Sequence, residues 1–414
     1  MSRAYNFALR LPRRALSVPR RGVSSLGQQL RMRRVPIDKL LIGGDSGQTG
    51  EKFARTVGDL MRPSRRIADS PHAQLLRAWQ KRGEAIFDKA AFEQTAYYRE
   101  AARNIDIFGN YFDARSNDEI VQGAKRYVEC FRGADTRLLK RQRGQSAPGS
   151  HIVVRPIEYS DCFQIVDGHH RAAIAAVRGD TVVSVEVSPD PVLTPLQQLL
   201  FDVLWIKGRK ELYQPVDAPE LEQQWVLVRQ CTDRLEKMTA FLAEHDIPAG
   251  STYLDVGCSY GWFVDQMGKR GYQAAGVERD PFALQVGQVA YGLAASRTTR
   301  SDCVRFLREH QETWDVVSSF SLLHHFVLGN GGVKPEEFIR LLDLATRRVL
   351  FLDMGQSHES WYRDTLTEWT APYIQEWLQQ NTSFTTIEPL GPDADAVPPF
   401  EHAFGRMLFA CYRR

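Results

Sequence analysis

No run of about 18 apolar residues occurs in this chain, so nothing in it reads as a transmembrane helix. No C-x-x-C pair occurs either. The six cysteines stand apart at 130, 162, 231, 258, 303 and 411, which argues against a disulfide scaffold and for reduced thiols in a cytosol. No Cys/His/Asp spacing completes a metal site, so no metal is expected. No helix-turn-helix pattern is present, and no specific nucleic-acid partner is expected. Residues 1–34 lack acids and lysine altogether but hold nine arginines, which leaves −6 on the remainder of a chain whose net charge is +3. The ordinary 43% hydrophobic and 25% charged content indicates a globular protein, and 414 residues suffice for two or three domains.

What is present is concentrated in Tyr253-Leu254-Asp255-Val256-Gly257-Cys258-Ser259-Tyr260-Gly261. An apolar run ends in an acid and a glycine-bracketed turn. A second apolar run ends in Glu278, 21 residues beyond Gly257. A strand, a tight turn, a helix and a second strand tipped by an acid build a nucleotide-binding crevice. The third glycine of a dinucleotide site is missing. Strands are expected at Thr252–Val256, Gln273–Val277, Thr298–Arg300, Trp314–Ser318, Arg347–Asp353, Thr385–Pro389 and Met407–Tyr412, the last two as an antiparallel hairpin. Helices are clearest at Phe282–Tyr291 and Pro335–Ala345. The fold class is therefore α/β.

The D-x-G-x-x-x-G pattern resembles the first motif of class I S-adenosylmethionine-dependent methyltransferases, and implies their seven-stranded Rossmann-like sheet for 251–414. The resemblance implies S-adenosyl-L-methionine as cofactor. Asp255, Gly257, Cys258 and Gly261 would surround its amino-acid part, and Glu278 would accept from the ribose hydroxyls. Asp302 and Cys303 would meet the adenine, and Ser319 would line the pocket beyond the fourth strand. His324 and His325 follow that strand. Neutral imidazole suits removal of a proton from an acceptor hydroxyl, so both are candidate bases, with His325 ahead. Asp353 and Glu359 are alternative carboxylate bases. Glu359 and Trp361 are also candidates for binding the acceptor, the first through hydroxyls and the second through an apolar ring face. Arg229 and Arg234 are candidates to face the cofactor carboxylate, with solvated helix charges as the other reading.

A second motif lies upstream, in Asp167-Gly168-His169-His170-Arg171, between an apolar strand and a helix. Polar side chains at a helix N-terminus suit an anion. The segment 151–188 resembles the ParB/sulfiredoxin-like fold, notably its free-serine-kinase version, and implies a nucleotide or phosphate site at those five residues. Val35-Pro36-Ile37-Asp38-Lys39-Leu40 reads as the first strand of that small α+β domain, over a hundred residues away. Residues 66–145 read as helical, as do Thr194–Gly208 and Pro219–Leu242.

The expected organisation is a basic disordered tail at 1–34, a ParB/sulfiredoxin-like domain with a helical insertion at 35–190, a helical linker and cofactor lid at 191–250, and the methyltransferase domain at 251–414. With Leu212-Tyr213-Gln214-Pro215, His324-His325 and Met354-Gly355-Gln356 added to the two motifs above, most of 70–414 resembles bacterial methyltransferases found with polysaccharide and O-antigen assembly. This implies a cytoplasmic O-methyltransferase acting on a glycan or glycolipid-linked sugar. Two alternatives stand beside it: a bifunctional methyltransferase-kinase that phosphorylates a small molecule or sugar, and an N-terminal domain that is a non-catalytic binding module. The arginine-rich tail resembles a mitochondrial presequence if the source is eukaryotic. It also suits peripheral contact with an anionic inner membrane.

Overall fold

The computed structural model describes residues 31–42, 65–133, 151–401 and 405–413. Residues 1–30 of the expected tail and 134–145 of the expected helical stretch lie outside the described residues. Strands β1 (Met32–Pro36) and β2 (Leu40–Leu41) precede four helices, α1 (Pro71–Arg82), α2 (Lys89–Glu93), α3 (Ala96–Phe108) and α4 (Asn117–Gly133). Then come β3 (Ile152–Pro156), β4 (Phe163–Asp167), α5 (His169–Arg178) and β5 (Val182–Val187). The five strands form one sheet in the order β1-β5-β3-β4-β2. Met32 pairs with Glu186 and Val35 with Val183, so the tail boundary expected at residue 34 is too late. Val35 is buried while Arg33 and Arg34 stay exposed, and exposed charges are common on an edge strand. The helices pack against this sheet through one apolar core. In α1, Ser70 Oγ accepts from Ala73 N at 3.2 Å, Pro71 opens the helix and Gly83 follows it.

The connecting segment holds α6 (Pro195–Asp202), β6 (Glu211–Leu212), β7 (Val226–Leu227) and α7 (Thr232–Glu244). Here the helical reading of 194–208 and 219–242 is corrected. The first helix ends at Asp202, and 219–231 is a short turn, β7 and a loop. Buried Leu196, Leu199, Leu200, Val203 and Ile206 have helix-like spacing, as do Leu221 and Trp225, but past Asp202 they fill the core under an irregular chain interrupted by Pro215 and Pro219.

The C-terminal half alternates strand and helix: β8 (Thr252–Val256), α8 (Trp262–Lys269), β9 (Gln273–Glu278), α9 (Pro281–Tyr291), β10 (Thr298–Arg300), α10 (Cys303–Glu309), β11 (Trp314–Ser319), α11 (Leu323–Val327), α12 (Pro335–Ala345), β12 (Thr346–Leu352), α13 (Ala371–Asn381), β13 (Thr386–Pro392) and β14 (Met407–Tyr412). All seven expected strands are present. They run in the order β10-β9-β8-β11-β12-β14-β13, with β14 antiparallel to both neighbours. Val349–Leu352 is wholly buried, as in a parallel sheet covered on both faces. From β8 the chain extends the sheet one way through β9 and β10, then crosses to the other side at β11. Ligands bind outside the strand ends at such a reversal.

Candidate active site at the C-terminal edge of the sheet

The ends of β8, β9, β10 and β11 open on a cleft of about 540 Å³, within the range of small-molecule sites. Gly257, Glu278, Asp302 and Cys303 line it. Gly257 has φ +80°, and a Cβ there would stand 3.1 Å from Leu322 Cδ2 across the cleft. Only glycine meets both conditions without strain. The Glu278 carboxylate is fixed by three main-chain donors: Ser259 N at 3.1 Å, Arg279 N at 2.8 Å and Asp280 N at 2.9 Å. Asp302 Oδ1 caps α10, accepting from Val304 N at 3.0 Å and Arg305 N at 3.1 Å. Burial, aided by Asp302, pushes the Cys303 thiol up to about 12, so it stays protonated and inert.

The other expected cofactor residues lie behind this wall. Asp255 is 2% exposed and accepts from Ser318 Oγ at 2.7 Å, and Ser318 in turn meets Tyr253 Oη at 2.6 Å. Ser318 stands opposite Asp255 in the β11–β8 register. Burial pushes the Asp255 carboxyl up to about 7, against the opposing pull of Ser318 and Arg234. Cys258 and Ser319 are fully buried, and Gly261 sets the left-handed turn into α8. Asp255, Cys258, Gly261 and Ser319 thus stand behind the residues that line the cleft.

His324 and His325 both line the cleft, with ring centroids 4.3 Å apart, but their environments differ. His324 is 2% exposed and its Nδ1 accepts from Gly355 N at 3.1 Å, which assigns the ring proton to Nε2. Burial, with Arg406 and His325 nearby, drives its pKa down to about 2. Its one basic nitrogen is thus already engaged. His325 is exposed; burial of part of its ring, then Arg279 and Arg406, lower its pKa below 6.5. It is neutral at pH 7. His324 is a structural residue and His325 the candidate base.

Glu359 is also corrected as an acceptor contact. It is fully buried, with Arg406 Nε and Nη2 each 2.8 Å away, and it also accepts from Gln356 N and Trp361 Nε1, each at 2.8 Å. Trp361, 48% exposed, does line the cleft, beside Tyr362. Arg229 and Arg234 do not face a cofactor. Arg229 is wholly buried and pairs with Asp393, with Asp353 at 3.6 Å and Ser321 Oγ at 2.8 Å. Arg234 bonds Asp353 and Asp395, both at 3.0 Å. Burial raises the Asp353 carboxyl, but Arg229, Arg234 and Arg406 outweigh it and hold it at about 2. A carboxylate so held is a poor proton acceptor.

In the upstream turn, Gly168 has φ +96° and opens α5. Arg171 Nη2 turns back to His151 O at 3.2 Å and Asp167 Oδ2 at 3.4 Å. His170 Nε2 meets Tyr97 Oη at 3.3 Å, and its ring lies 4.7 Å from that of His72, itself 3% exposed. His169 lies alongside the same ring at 6.0 Å. The five residues are together, and much of their polarity is directed inward. Among the described residues, no group of three or more His, Cys, Asp or Glu is arranged to hold a metal, and no helix is long and apolar enough to cross a membrane.

Sequence reasoning missed Trp205, Arg209, Glu211, Tyr213, Phe400 and Arg406, all of which line the cleft. The only signal was Leu212-Tyr213-Gln214-Pro215, whose role the sequence alone does not give.

Residues 227–384 match the family model described as a methyltransferase domain, a span that holds β8 to β12 of the seven-stranded sheet. No curated protein matches the chain. Similar solved structures include that of the bifunctional kinase-methyltransferase WbdD, at 17% identity and TM-score 0.41, covering 52% of this chain and 46% of that one. The present chain thus spans less than half of WbdD. Magnesium protoporphyrin IX methyltransferase from Synechocystis PCC 6803, with bound S-adenosylmethionine, gives 16% identity and TM-score 0.32 over 44% and 78% of the two chains. The methyltransferase domain of bacterial CtHen1 gives 12% identity and TM-score 0.33 over 44% and 98%.

Proposed function

We propose that the chain is an S-adenosylmethionine-dependent O-methyltransferase whose acceptor is a glycan or glycolipid-linked sugar. The observation that carries the cofactor assignment is Glu278, fixed at the tip of β9 beside the Gly257 turn. Its oxygens suit two ribose hydroxyls, Gly257 leaves the space a Cβ would fill, and Asp302 and Cys303 suit an adenine edge. When bound, S-adenosylmethionine supplies an electrophilic methyl group. His325 then accepts the acceptor hydroxyl's proton on its unprotonated ring nitrogen. Positioning of the acceptor contributes the larger share of acceleration. Trp361, Tyr362 and Phe400 offer flat faces for a sugar ring. Nucleotide binding at Asp167–Arg171 is a separate proposal. It requires that ATP titration give a signal that Arg171→Ala removes.

Calorimetry tests the cofactor assignment. Glu278→Ala should weaken S-adenosylmethionine binding by about 1.5–3 kcal/mol, the range for hydrogen bonds to a charged group. Unchanged affinity in a folded variant would remove the ribose role, and a preference for NAD would remove the whole reading.

A further inference from the structure

One wall of the cleft comes from outside the matched domain. Trp205, Arg209, Glu211 and Tyr213 all precede residue 227. They touch one another in series, with Arg209 also 3.4 Å from Glu211. The Arg209 guanidinium lies 4.9 Å from the Trp205 ring centroid, Arg209 Nη2 donates to Trp205 O at 2.9 Å, and the Trp205 and Tyr213 rings are 5.0 Å apart. Trp205 remains 43% exposed and Trp361, on the same cleft, 48%. Two large aromatic side chains left half open to water on one concavity suit a ligand with a flat face.

This wall hangs from the two loops assigned to the cofactor. At its start, Leu204 N donates to Asp280 Oδ2 at 2.8 Å, and Asp280 is two residues past Glu278. At its end, Gln214 is 4% exposed and its amide spans the glycine turn. Gln214 Nε2 donates to Cys258 O at 3.2 Å, and Gln214 Oε1 accepts from Trp262 N at 3.3 Å. Beside it, Tyr291 Oη donates to Pro215 O at 2.7 Å. Both fixing points lie on or next to the loops that carry Gly257 and Glu278.

We infer that residues 203–216 are the acceptor-recognition wall, and that their attachment through Asp280 and Gln214 makes its ordering depend on cofactor binding. The inference rests on the proposed cofactor site. Ordering the glycine turn and the Glu278 loop fixes both ends of the wall, so acceptor affinity rises once cofactor is bound. By linkage the reverse holds as well. Gln214 is a positioning residue: it touches neither reactant, and it transmits the order of one loop to the other. Trp205 is the specificity-determining residue of the wall, and the acceptor it selects presents a flat, weakly polar face.

Hydrogen exchange on the full chain, with and without saturating S-adenosylhomocysteine, tests this without knowledge of the acceptor. Amides in 257–280 should slow, and those in 203–216 should slow with them by about five-fold or more, the lower end of coupling between linked sites. In Gln214→Leu, slowing should persist in 257–280 and largely vanish in 209–216, the end that loses its tie. Slowing confined to 257–280 in the wild type would overturn the inference, and this arm stands even if the variant does not fold. Absence of any S-adenosylhomocysteine binding by calorimetry would instead overturn the cofactor assignment, a distinct result.

Discussion

Two adjacent-histidine pairs occupy similar local settings in this molecule and meet different fates. His169–His170 opens α5 just past the end of β4, and His324–His325 begins at α11 just past β11. In the first pair, His170 is packed among Tyr127, His72 and Phe112 at ring distances of 4.4, 4.7 and 4.9 Å. In the second, His324 is more deeply buried than the half-buried His170, while His325 stands exposed at a cleft lined by Glu278 and Asp302. A histidine pair after a strand is a local pattern. Whether a ring nitrogen is available for chemistry depends on distant elements. Helices α1, α3 and α4 supply the partners of His170, and the loop after β12 supplies the partner of His324.

The comparison breaks most visibly in turnover. His325→Ala should reduce methyl transfer by about 10²–10⁴-fold with cofactor affinity nearly unchanged, the usual contribution of a general base. His170 does not line the cleft, and His170→Ala should leave the rate per folded molecule within a few-fold. Steady-state kinetics on a working acceptor, normalised to folded protein, would decide. Equal losses in both variants would end the distinction.

Stability sharpens the same contrast. Beneath the second pair lies a buried ionic cluster, and Arg229→Ala strands Asp393 and part of Asp353 there. Loss of one partner in such a setting costs about 3–5 kcal/mol, measurable by denaturant unfolding. Beside the first pair, Arg171 and Asp167 are 3.4 Å apart with Asp167 39% exposed, so removing that ion pair should cost no more than about 1 kcal/mol. Comparable losses would mean that the buried cluster contributes less than its geometry implies.

A smaller effect distinguishes His324 from its neighbour. Its folded pKa of about 2 lies below the ordinary 6.5. Between those values the unfolded chain binds a proton that the folded chain does not, so stability is complete above pH 6.5 and falls as pH drops. From pH 7 to pH 5 this one group should remove about 2 kcal/mol. Burial of Asp255 works in the opposite direction between 3.8 and about 7, so the comparison is between wild type and His324→Asn. Unfolding midpoints should converge toward acid as the wild type loses its advantage. Parallel pH curves would show that His324 is not held neutral.

The sheet was legible first at β8, β9 and β12, apolar runs that end at Gly257, Glu278 and Asp353, and at helices whose ends carry proline and glycine. Pro281 with Gly292 is one such case. Glu278 and Gly257 were legible for the same reason: local spacing places them at strand ends. The buried ion pairs were not legible. Arg229 and Asp393 lie 164 residues apart, and no local pattern separates a buried arginine from a solvated one. Gln214 stood out in the sequence, but its two partners, Cys258 O and Trp262 N, are main-chain atoms with no sequence signature. The first part of the wall, 203–208, was read as a continuation of the helix because Leu196, Leu199, Leu200, Val203 and Ile206 keep helical spacing past the point where the helix ends at Asp202.

The most direct test of the central claim is the pH dependence of kcat for methyl transfer in the wild type, His324→Asn and His325→Ala. Only neutral imidazole accepts a proton. The account predicts that wild-type kcat rises with pH through an apparent pKa below 6.5 and is level above it. His324→Asn should keep that limb, and His325→Ala should lose it along with most of the rate. A wild-type profile without the limb, or a limb that survives in His325→Ala, would contradict the assignment of His325 as the base.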